Sequence, residues 1–412
     1  MERTILHVDM NNFYASCECM ENPDLKNVPV CVCGDIEERH GIVLAKNQLA
    51  KKYDIKTGEV VWKAKQKCPG LVTVPPHFDL YLKYSNLARE IYSYYTDKVE
   101  AFGIDECWLD VSHCTDKNYT GVDIANEIRE KTKDMLGLTV SVGVSYNKVF
   151  AKLGSDMKKP DAVTHIPKET FKEQIWPLPA SDLLFVGRKT AEKLHYYGIN
   201  TIGRLAITGE NLLKSNFGIN GLRLKAYANG LDESPVCDKD FSPPVKSIGH
   251  GMTFLEDLFE NEEAQKMIYR LSLCFSKKLR DTGKKAKGVS VTVRDNTLYF
   301  KEWQTRLPYP TSSPRIISDC AYELFRKEYK WEKPIRNITV RVIDLIDENE
   351  SFQVDLFNDY SKIHKDETLD ETVDNLKERF GKYSIRPCSL LNLVKYPEES
   401  QYKKVTPPGC NI

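Results

Sequence analysis

Apolar residues recur along this chain with two different periods, and the places where the period changes divide it. Residues 4–9 carry a nearly continuous apolar run that ends in an acid, Ile5-Leu6-His7-Val8-Asp9, the pattern of a buried strand. Met10-Asn11-Asn12-Phe13-Tyr14-Ala15-Ser16 predicts a turn entering a short helix, with Asn as cap and the aromatics as anchors. Val28 to Cys33 and Gly41 to Leu44 read as strands, and Asn47 to Tyr53 as a helix. Residues 79–98 predict a long amphipathic helix with Leu82, Leu87, Ile91 and Tyr95 on one face. Phe102 to Asp110 reads as a strand or strand–turn–strand, 121–136 as a helix and Leu138 to Val144 as a strand. Strands with intervening helices predict an α+β layer with a mixed or antiparallel sheet.

Three prolines, Pro167, Pro177 and Pro179, mark a change of character, after which residues 180–230 are mainly helical and glycine-punctuated. Phe185 to Leu194 followed by Tyr197-Gly198-Ile199 has a helix–turn–helix rhythm, with a weaker copy at Phe217 to Gly221. A turn at Gly187 exposes amides at the next helix's N-terminus beside Arg188 and Lys189, a phosphate cradle that reads no base; glycine turns between helices also occur without that role. Residues 235–246, with Pro235 and Ser242-Pro243-Pro244, form a linker. Beyond it Leu271 to Lys285 predicts a helix ending in a very basic stretch. Gly288 to Arg294 and Ile335 to Leu345 predict alternating strands, and 315–328 a helix. In the last strand Ile338, Val340 and Val342 face one way and Arg341 the other, so a small separate α+β domain carries a basic sheet face that either meets phosphate or is simply solvated.

Composition narrows the class. With 412 residues the chain has room for two to four domains, and 41% hydrophobic with 29% charged residues describes an ordinary globular protein. The N-terminus lacks a secretory apolar region, and no apolar run is long enough to span a bilayer. Twelve cysteines are too few for a disulfide scaffold; Cys17/Cys19 and Cys31/Cys33 lack zinc-knuckle spacing and read as small apolar fillers of a reduced, intracellular protein. The net charge of zero excludes nothing, but its distribution is uneven. Residues 246–345 hold 19 Lys and Arg against 13 Asp and Glu, whereas 346–380 hold 4 against 11. A basic module followed by an acidic segment is either a polyanion-binding face with a separate protein contact or solvated surface.

The candidate chemistry lies in Phe102 to Asp110, where adjacent Asp105 and Glu106 interrupt an apolar stretch. Neighbouring carboxylates repel and belong in a core only when cations or strong donors satisfy them. If Asp9 comes from an adjacent strand, three carboxylates converge on a cation pair; the alternative is an exposed acidic turn. Gln353-Val354-Asp355-Leu356-Phe357, in an acidic setting, reads either as a peptide that docks in an apolar groove or as a local tuck.

Together these stretches resemble the Y-family, translesion-type DNA polymerases of the bacterial polymerase IV/UmuC-like group, over about residues 3–390. Val8 to Ser16 resembles the family's first metal motif, Ile104 to Asp110 the second, and Ser141 to Ser155 with Lys159-Pro160 the third. The resemblance implies an α+β, multidomain right-hand polymerase. Its parts would be a ferredoxin-like palm with small fingers (1–165, fingers about 20–75), a helix-hairpin-helix thumb (166–235), a linker (236–246) and an α/β little finger (247–350). Residues 351–412 would hold a clamp-binding motif, the remainder of the little finger and a C-terminal tail.

The same resemblance implies roles. Asp9 and Asp105 would bridge two Mg²⁺ ions, Mn²⁺ being an alternative, with Glu106 on the primer-side ion and the Met10 carbonyl on the nucleotide-side ion. Asn12, Phe13, Gln48, Lys51 and Lys159 would meet the incoming dNTP, and Tyr14 would be the steric gate against a ribose 2′-hydroxyl. Gly187, Arg188, Lys189, Thr190, Arg294, Arg336 and Arg341 would contact primer–template DNA, and Gln353, Leu356 and Phe357 a sliding clamp. The enzyme implied is a cytoplasmic monomer, without a membrane partner, that extends a primer 3′-hydroxyl by two-metal phosphoryl transfer and bypasses lesions at low fidelity. Two positions depart from the family pattern. Gln48 and Lys51 stand where many relatives have Tyr and Arg, so the planar fork of Arg is lost but the charge kept. Phe185 also replaces a frequent first glycine of the thumb turn. Two rivals remain at this stage, a non-catalytic DNA- and clamp-binding adaptor and a nucleotidyl cyclase.

Overall fold

A computed structural model describes residues 3–35, 39, 41–351, 360–381 and 384–390. The chain opens with β1 (Ile5–Met10) and α1 (Phe13–Glu21). A small three-stranded sheet follows, formed by β2 (Val30–Cys33), β3 (Val43–Lys46) and β4 (Val72–Val74), with the short helices α2 (Gln48–Lys51) and α3 (Val61–Lys67). Then come α4 (Phe78–Ser93), β5 (Val99–Ala101), β6 (Glu106–Asp110), α5 (Gly121–Leu136), β7 (Val140–Ser145), α6 (Lys148–Met157) and β8 (Val163–Ile166).

The main sheet has the order β5-β6-β1-β7-β8, antiparallel except for the parallel β7–β8 pair. It is therefore mixed, as its strand and helix alternation predicts. The wholly buried β1 sits at its centre and alternates between two covered faces. Leu6, Val8 and Met10 join Tyr81, Ile91, Ile124 and Ile128 in one core, each side chain contributing about 1.5–3 kcal/mol by burial. Ile5, His7 and Asp9 face the other way, toward α6. That helix lies unusually close, because a Cβ at Gly143 would collide with the Ala151 carbonyl. Asn147 caps it, accepting from the Phe150 amide at 2.8 Å.

Two sequence expectations are corrected here. α4 ends at Ser93, because the chain must turn to enter β5; its buried stripe is Tyr81, Ser85, Ala88, Ile91 and Tyr92, and Leu82 and Leu87 lie on its flanks. The helix over 47–53 is a single turn. Of the stretch Phe102 to Asp110 only Glu106–Asp110 is a strand; the turn before it joins β5, which lies just outside that stretch.

A helical segment follows, with α7 (Phe171–Ile175), α8 (Arg188–Tyr196), α9 (Ile202–Ile207) and α10 (Glu210–Ala228), which breaks at Gly218 where φ is +62°. Leu194, Ile202, Leu205 and Leu213 share a core with Val149, Phe150 and Leu153 of α6. The stretch expected to be a linker is partly docked. Val236 is buried against Ile5, Trp108 and Ala151, the Cys237 amide donates to Glu100 at 2.9 Å, and Lys239 pairs with Asp97 at 2.7 Å.

The last unit contains β9 (Ile248–Leu258), α11 (Asn261–Asp281), β10 (Lys284–Asp295), β11 (Phe300–Thr311), α12 (Pro314–Glu328) and β12 (Ile335–Asp347), in an antiparallel sheet of order β11-β10-β12-β9. Val289, Val291, Val293, Ile338, Val340 and Val342 pack inward against α11 and α12. α11 starts ten residues before its expected position and stops sooner, because Gly283 at φ +61° turns the chain and puts Lys284 and Lys285 on a strand. The acidic helix α13 (Tyr360–Phe380) folds back on this unit, pairing Asp374 with Arg280 (2.6 Å), Glu367 with Lys285 (2.8 Å) and Glu378 with Lys277 (2.9 Å). Arg39 reaches Asp257 at 2.6 Å, tying the small first sheet to the last one. Among the described residues no helix is long and apolar enough to cross a membrane.

Candidate active site

Register places the acids. Asp9 on β1 is the direct cross-strand partner of Glu106 on β6, so both side chains leave the same face of the sheet. Asp105 occupies the turn before β6, and its carbonyl accepts from the Met10 amide at 3.0 Å. All three border one cavity of about 420 Å³, together with Met10, Asn12, Phe13, Tyr14, Gln48, Lys51 and Lys159. Every residue expected on the nucleotide and metal side thus faces a single space. Asn11, Lys46 and Thr57 also line it and were not anticipated.

Cations from α6 and the turn after it fill the gap between the acids. Lys152 Nζ lies 3.3 Å from Asp9, 3.1 Å from Glu106 and 3.1 Å from Asp156, and Lys159 Nζ lies 2.8 Å from Asp9 and 3.0 Å from Asp156. Burial raises the Asp9 carboxyl above its ordinary value, while Lys159 and Lys152 pull it back. Burial, with Asp9 and Glu106 adding to it, pushes Asp105 up to about 6. Burial pulls the Lys152 ammonium down, but Glu106, Asp9 and Asp156 together hold it above the usual lysine value. Lys152 escaped the sequence reading although it lies inside the third motif, four residues before Asp156, where an i,i+4 acid–base pair was legible.

Does this donor set suit a divalent cation? Asp9, Asp105, Glu106 and a backbone carbonyl are the hard oxygens such ions take. The carboxylates share a positive group already, since one ammonium touches both Asp9 and Glu106. Among the described residues no three acidic, His or Cys side chains close around a common point; Asp9 and Glu106 turn onto Lys152 instead. The residues present therefore fit a cation, with the lysine standing in for its charge.

Aromatic packing fixes the far wall. Tyr14 stacks on Tyr81 with centroids 4.2 Å apart and planes 8° from parallel, and Phe78 meets it edge-on at 6.0 Å. The Tyr81 hydroxyl donates to Glu18, which also faces His77 at 2.9 Å. Phe13 is itself buried in the core, while Asn12 takes φ +51° to start α1. Gln48 and Lys51 ride on α2, whose cap Asn47 accepts from Ala50 at 2.9 Å and donates to the Val28 carbonyl at 2.7 Å.

The expected DNA-contacting residues fall into two groups. Gly187 is the N-cap of α8, at an ordinary φ of −74°; the left-handed residue of that turn is the exposed Phe185, at φ +69°. Arg188 projects into solvent and pairs with Glu192 at 2.9 Å, with Lys189 and Thr190 beside it. On the last sheet Arg294 lies 5.5 Å over the Phe300 ring, Arg336 neighbours Arg39 and Asp257, and Arg341 pairs with Glu302, which also accepts from Ser290 at 2.6 Å. Gln353, Leu356 and Phe357 lie outside the described residues.

Comparison with known proteins agrees on one relationship. Residues 8–156 match the impB/mucB/samB family and residues 245–356 its C-terminal domain. DNA polymerase IV of Acetivibrio thermocellus is 52% identical over 391 residues, spanning 95% of this chain and 98% of the relative. DNA polymerase IV 1 of Bacillus subtilis is 36% identical over 97% of this chain and 95% of its own length. A solved Y-family DNA polymerase chimera superposes with a TM-score of 0.73 at 22% identity, covering 83% of this chain and 99% of the chimera, which speaks for the fold.

Proposed function

The chain belongs to the Y family of translesion DNA polymerases, in its DNA polymerase IV branch, and on that premise we propose which residues carry the reaction. As a DNA-directed DNA polymerase it acts on DNA with the help of divalent cations. Asp9 and Asp105 would hold two Mg²⁺ ions, with Mn²⁺ as a substitute, and Glu106 would complete the primer-side set and the Met10 carbonyl the nucleotide-side set. What supports this reading is the cross-strand pairing of Asp9 with Glu106 inside the cavity that Asp105 also borders. When bound, the ions lower the pKa of the primer 3′-hydroxyl and neutralise the triphosphate and leaving pyrophosphate.

The chain's own residues do the rest. Lys159 and Lys51 place fixed positive charge along the triphosphate, and Gln48 donates where a fork of donors is absent. Asn12 and Phe13 shape the floor of the pocket. The Tyr14 ring, held by its stack on Tyr81, occupies the space a 2′-hydroxyl would need. Residues 1–165 act as palm and fingers, 166–235 as thumb and 247–350 as little finger. Primer–template is gripped by the α8 N-terminus (Gly187, Arg188, Lys189, Thr190) and by Arg294, Arg336 and Arg341, with Gln353, Leu356 and Phe357 engaging a sliding clamp. The enzyme works as a monomer in the cytoplasm, in keeping with described cysteines that are all free thiols.

The non-catalytic adaptor reading is not favoured, because the three carboxylates and their lysines remain together in an open cavity. The test is primer extension by the purified chain with and without Mg²⁺, using D105A and E106A. Template-directed addition that needs the ion and both acids is expected; extension by either variant at the parental rate would remove the metal assignment. Truncating Leu356 and Phe357 is expected to cost processivity only when a clamp is present.

A further inference from the structure

One polar side chain beside the candidate site is fully buried. His7 lies on β1 two residues before Asp9, on the same face, with no exposed surface. Its cross-strand neighbour Trp108 presents an edge at 5.3 Å between ring centroids, and on the other side Gly143 leaves room for α6 to close over it. The ring is thereby wedged in one orientation. Nδ1 lies 2.9 Å from the Ser155 hydroxyl and Nε2 lies 3.3 Å from Glu106 Oε2, the oxygen that Lys152 also approaches at 3.1 Å. His7 Nε2 and Glu106 Oε2 are both shielded from water and neither completes a hydrogen bond among the described residues; each is the other's neighbour at 3.3 Å.

We infer that His7 is a positioning residue for Glu106, donating from Nε2–H to one carboxylate oxygen and so presenting the other to the primer-side cation. The inference rests on the reading that Glu106 is a ligand of that cation. Its physical basis is a proton count. A carboxylate only accepts, so a bare Nε2 would set a lone pair against it; whatever charge the ring carries, the contact is attractive only if Nε2 bears hydrogen. A neutral ring then needs a donor at Nδ1. The Ser155 hydroxyl fills that place by turning its one proton to Nδ1 and away from the Lys152 carbonyl inside α6, to which it can also donate at 2.8 Å. Ser155, His7 and Glu106 thus form a relay of orientation that runs from α6 through the sheet to the cavity, the arrangement by which outer groups fix the direction of a cation's ligands.

The first test needs neither metal nor activity. Long-range ¹H–¹⁵N correlation on the full chain labelled with ¹⁵N-histidine, assigned with H7Q, is expected to show the His7 proton on Nε2; a proton found on Nδ1 alone overturns the inference. The second test measures Mn²⁺ affinity in the complex with a dideoxy-terminated primer–template and dNTP. H7F, which keeps the ring shape and removes the donor, is expected to weaken Mn²⁺ binding about 10–100-fold and to lower kcat while leaving the KM for dNTP unchanged. H7Q, which can still donate from its amide, is expected to stay within about tenfold of the parent. Parental Mn²⁺ affinity in a folded H7F overturns the inference. E106Q separates the two failures. If it loses the ion and H7F does not, only the role of His7 falls; if it keeps the ion, the metal assignment falls and takes this inference with it. The NMR measurement uses the parent protein, so the inference stays testable if H7F does not fold.

Discussion

The chain builds two β-sheets that both carry charge, and they handle it in opposite ways. On the main sheet, Asp9 and Glu106 project from a covered face, their side chains 8% and 21% exposed, and two lysines supply the compensating charge. On the last sheet, Arg341 and Glu302 pair on an open face, 40% and 39% exposed, where Ser290 donates to that carboxylate at 2.6 Å and Thr292 also bonds to it. A buried charge without a partner costs several kcal/mol, which is why the first site is built with more cations than a single ion pair needs. An exposed pair costs little and contributes about 0–1 kcal/mol. On the proposed assignment, chemistry falls where fields are strong and held in advance, and grip on a polyanion falls where partners exchange easily.

That contrast can be broken by experiment, most severely at the acids. D105A or E106A is expected to cut nucleotide addition by on the order of 10³-fold or more with primer–template affinity unchanged, measured by single-turnover extension beside fluorescence-anisotropy binding. An equal loss of DNA affinity would mean that the buried face serves grip as well. Y14A is expected to shift rNTP over dNTP selection by about 10–100-fold without lowering dNTP addition as much, read from incorporation ratios. Unchanged ratios would remove the gate.

The pH dependence sharpens the same comparison. Because the folded pKa of Asp105 is raised to about 6 from 3.8, its protonated form is favoured in the fold. Its contribution to stability is fully present below 3.8 and is lost as pH rises through about 6. A cation must displace that proton, so Mn²⁺ affinity is expected to fall by up to about tenfold per pH unit below pH 6, seen by calorimetric titration. Affinity independent of pH across this window would show that Asp105 is not a ligand.

Smaller effects belong to the last unit. R280M, which leaves Asp374 facing an apolar side chain, is expected to lower the melting temperature of α13 and its neighbours, a loss of about 1–3 kcal/mol seen in denaturant titration. E302Q frees Arg341 and is expected to tighten DNA binding by no more than about fivefold while steepening the salt slope by about one phosphate contact. Weaker binding in E302Q would show that the carboxylate orients the arginine for DNA instead of competing with it.

Local order in the chain was enough for the strands with strong alternation and for the acids that interrupt them. β1, β7, β10 and β12 occupy the stretches their apolar period marks, and Asp9, Asp105 and Glu106 stand out because carboxylates in apolar runs need a reason. β9 and β11 were not legible. β11 carries Lys301, Glu302, Gln304, Arg306 and two prolines, and its strand conformation comes from its ladder with β10 at the sheet edge. The acidic segment after residue 346 was legible as charge but not as a partner for α11, because ion pairs such as Asp374–Arg280 join residues far apart in sequence.

The sequence by itself determined which residues could do chemistry and which stretches form strands, and left open whether the acids meet on one face. Only the tertiary structure decided that Lys152 stands between Asp9 and Glu106, that Tyr81 braces Tyr14, and that His7 reaches Glu106. The physical reason is that strand period and helix period are local, whereas the register that pairs Asp9 with Glu106 and the depth to which α6 settles on Gly143 are set by packing across the whole sheet.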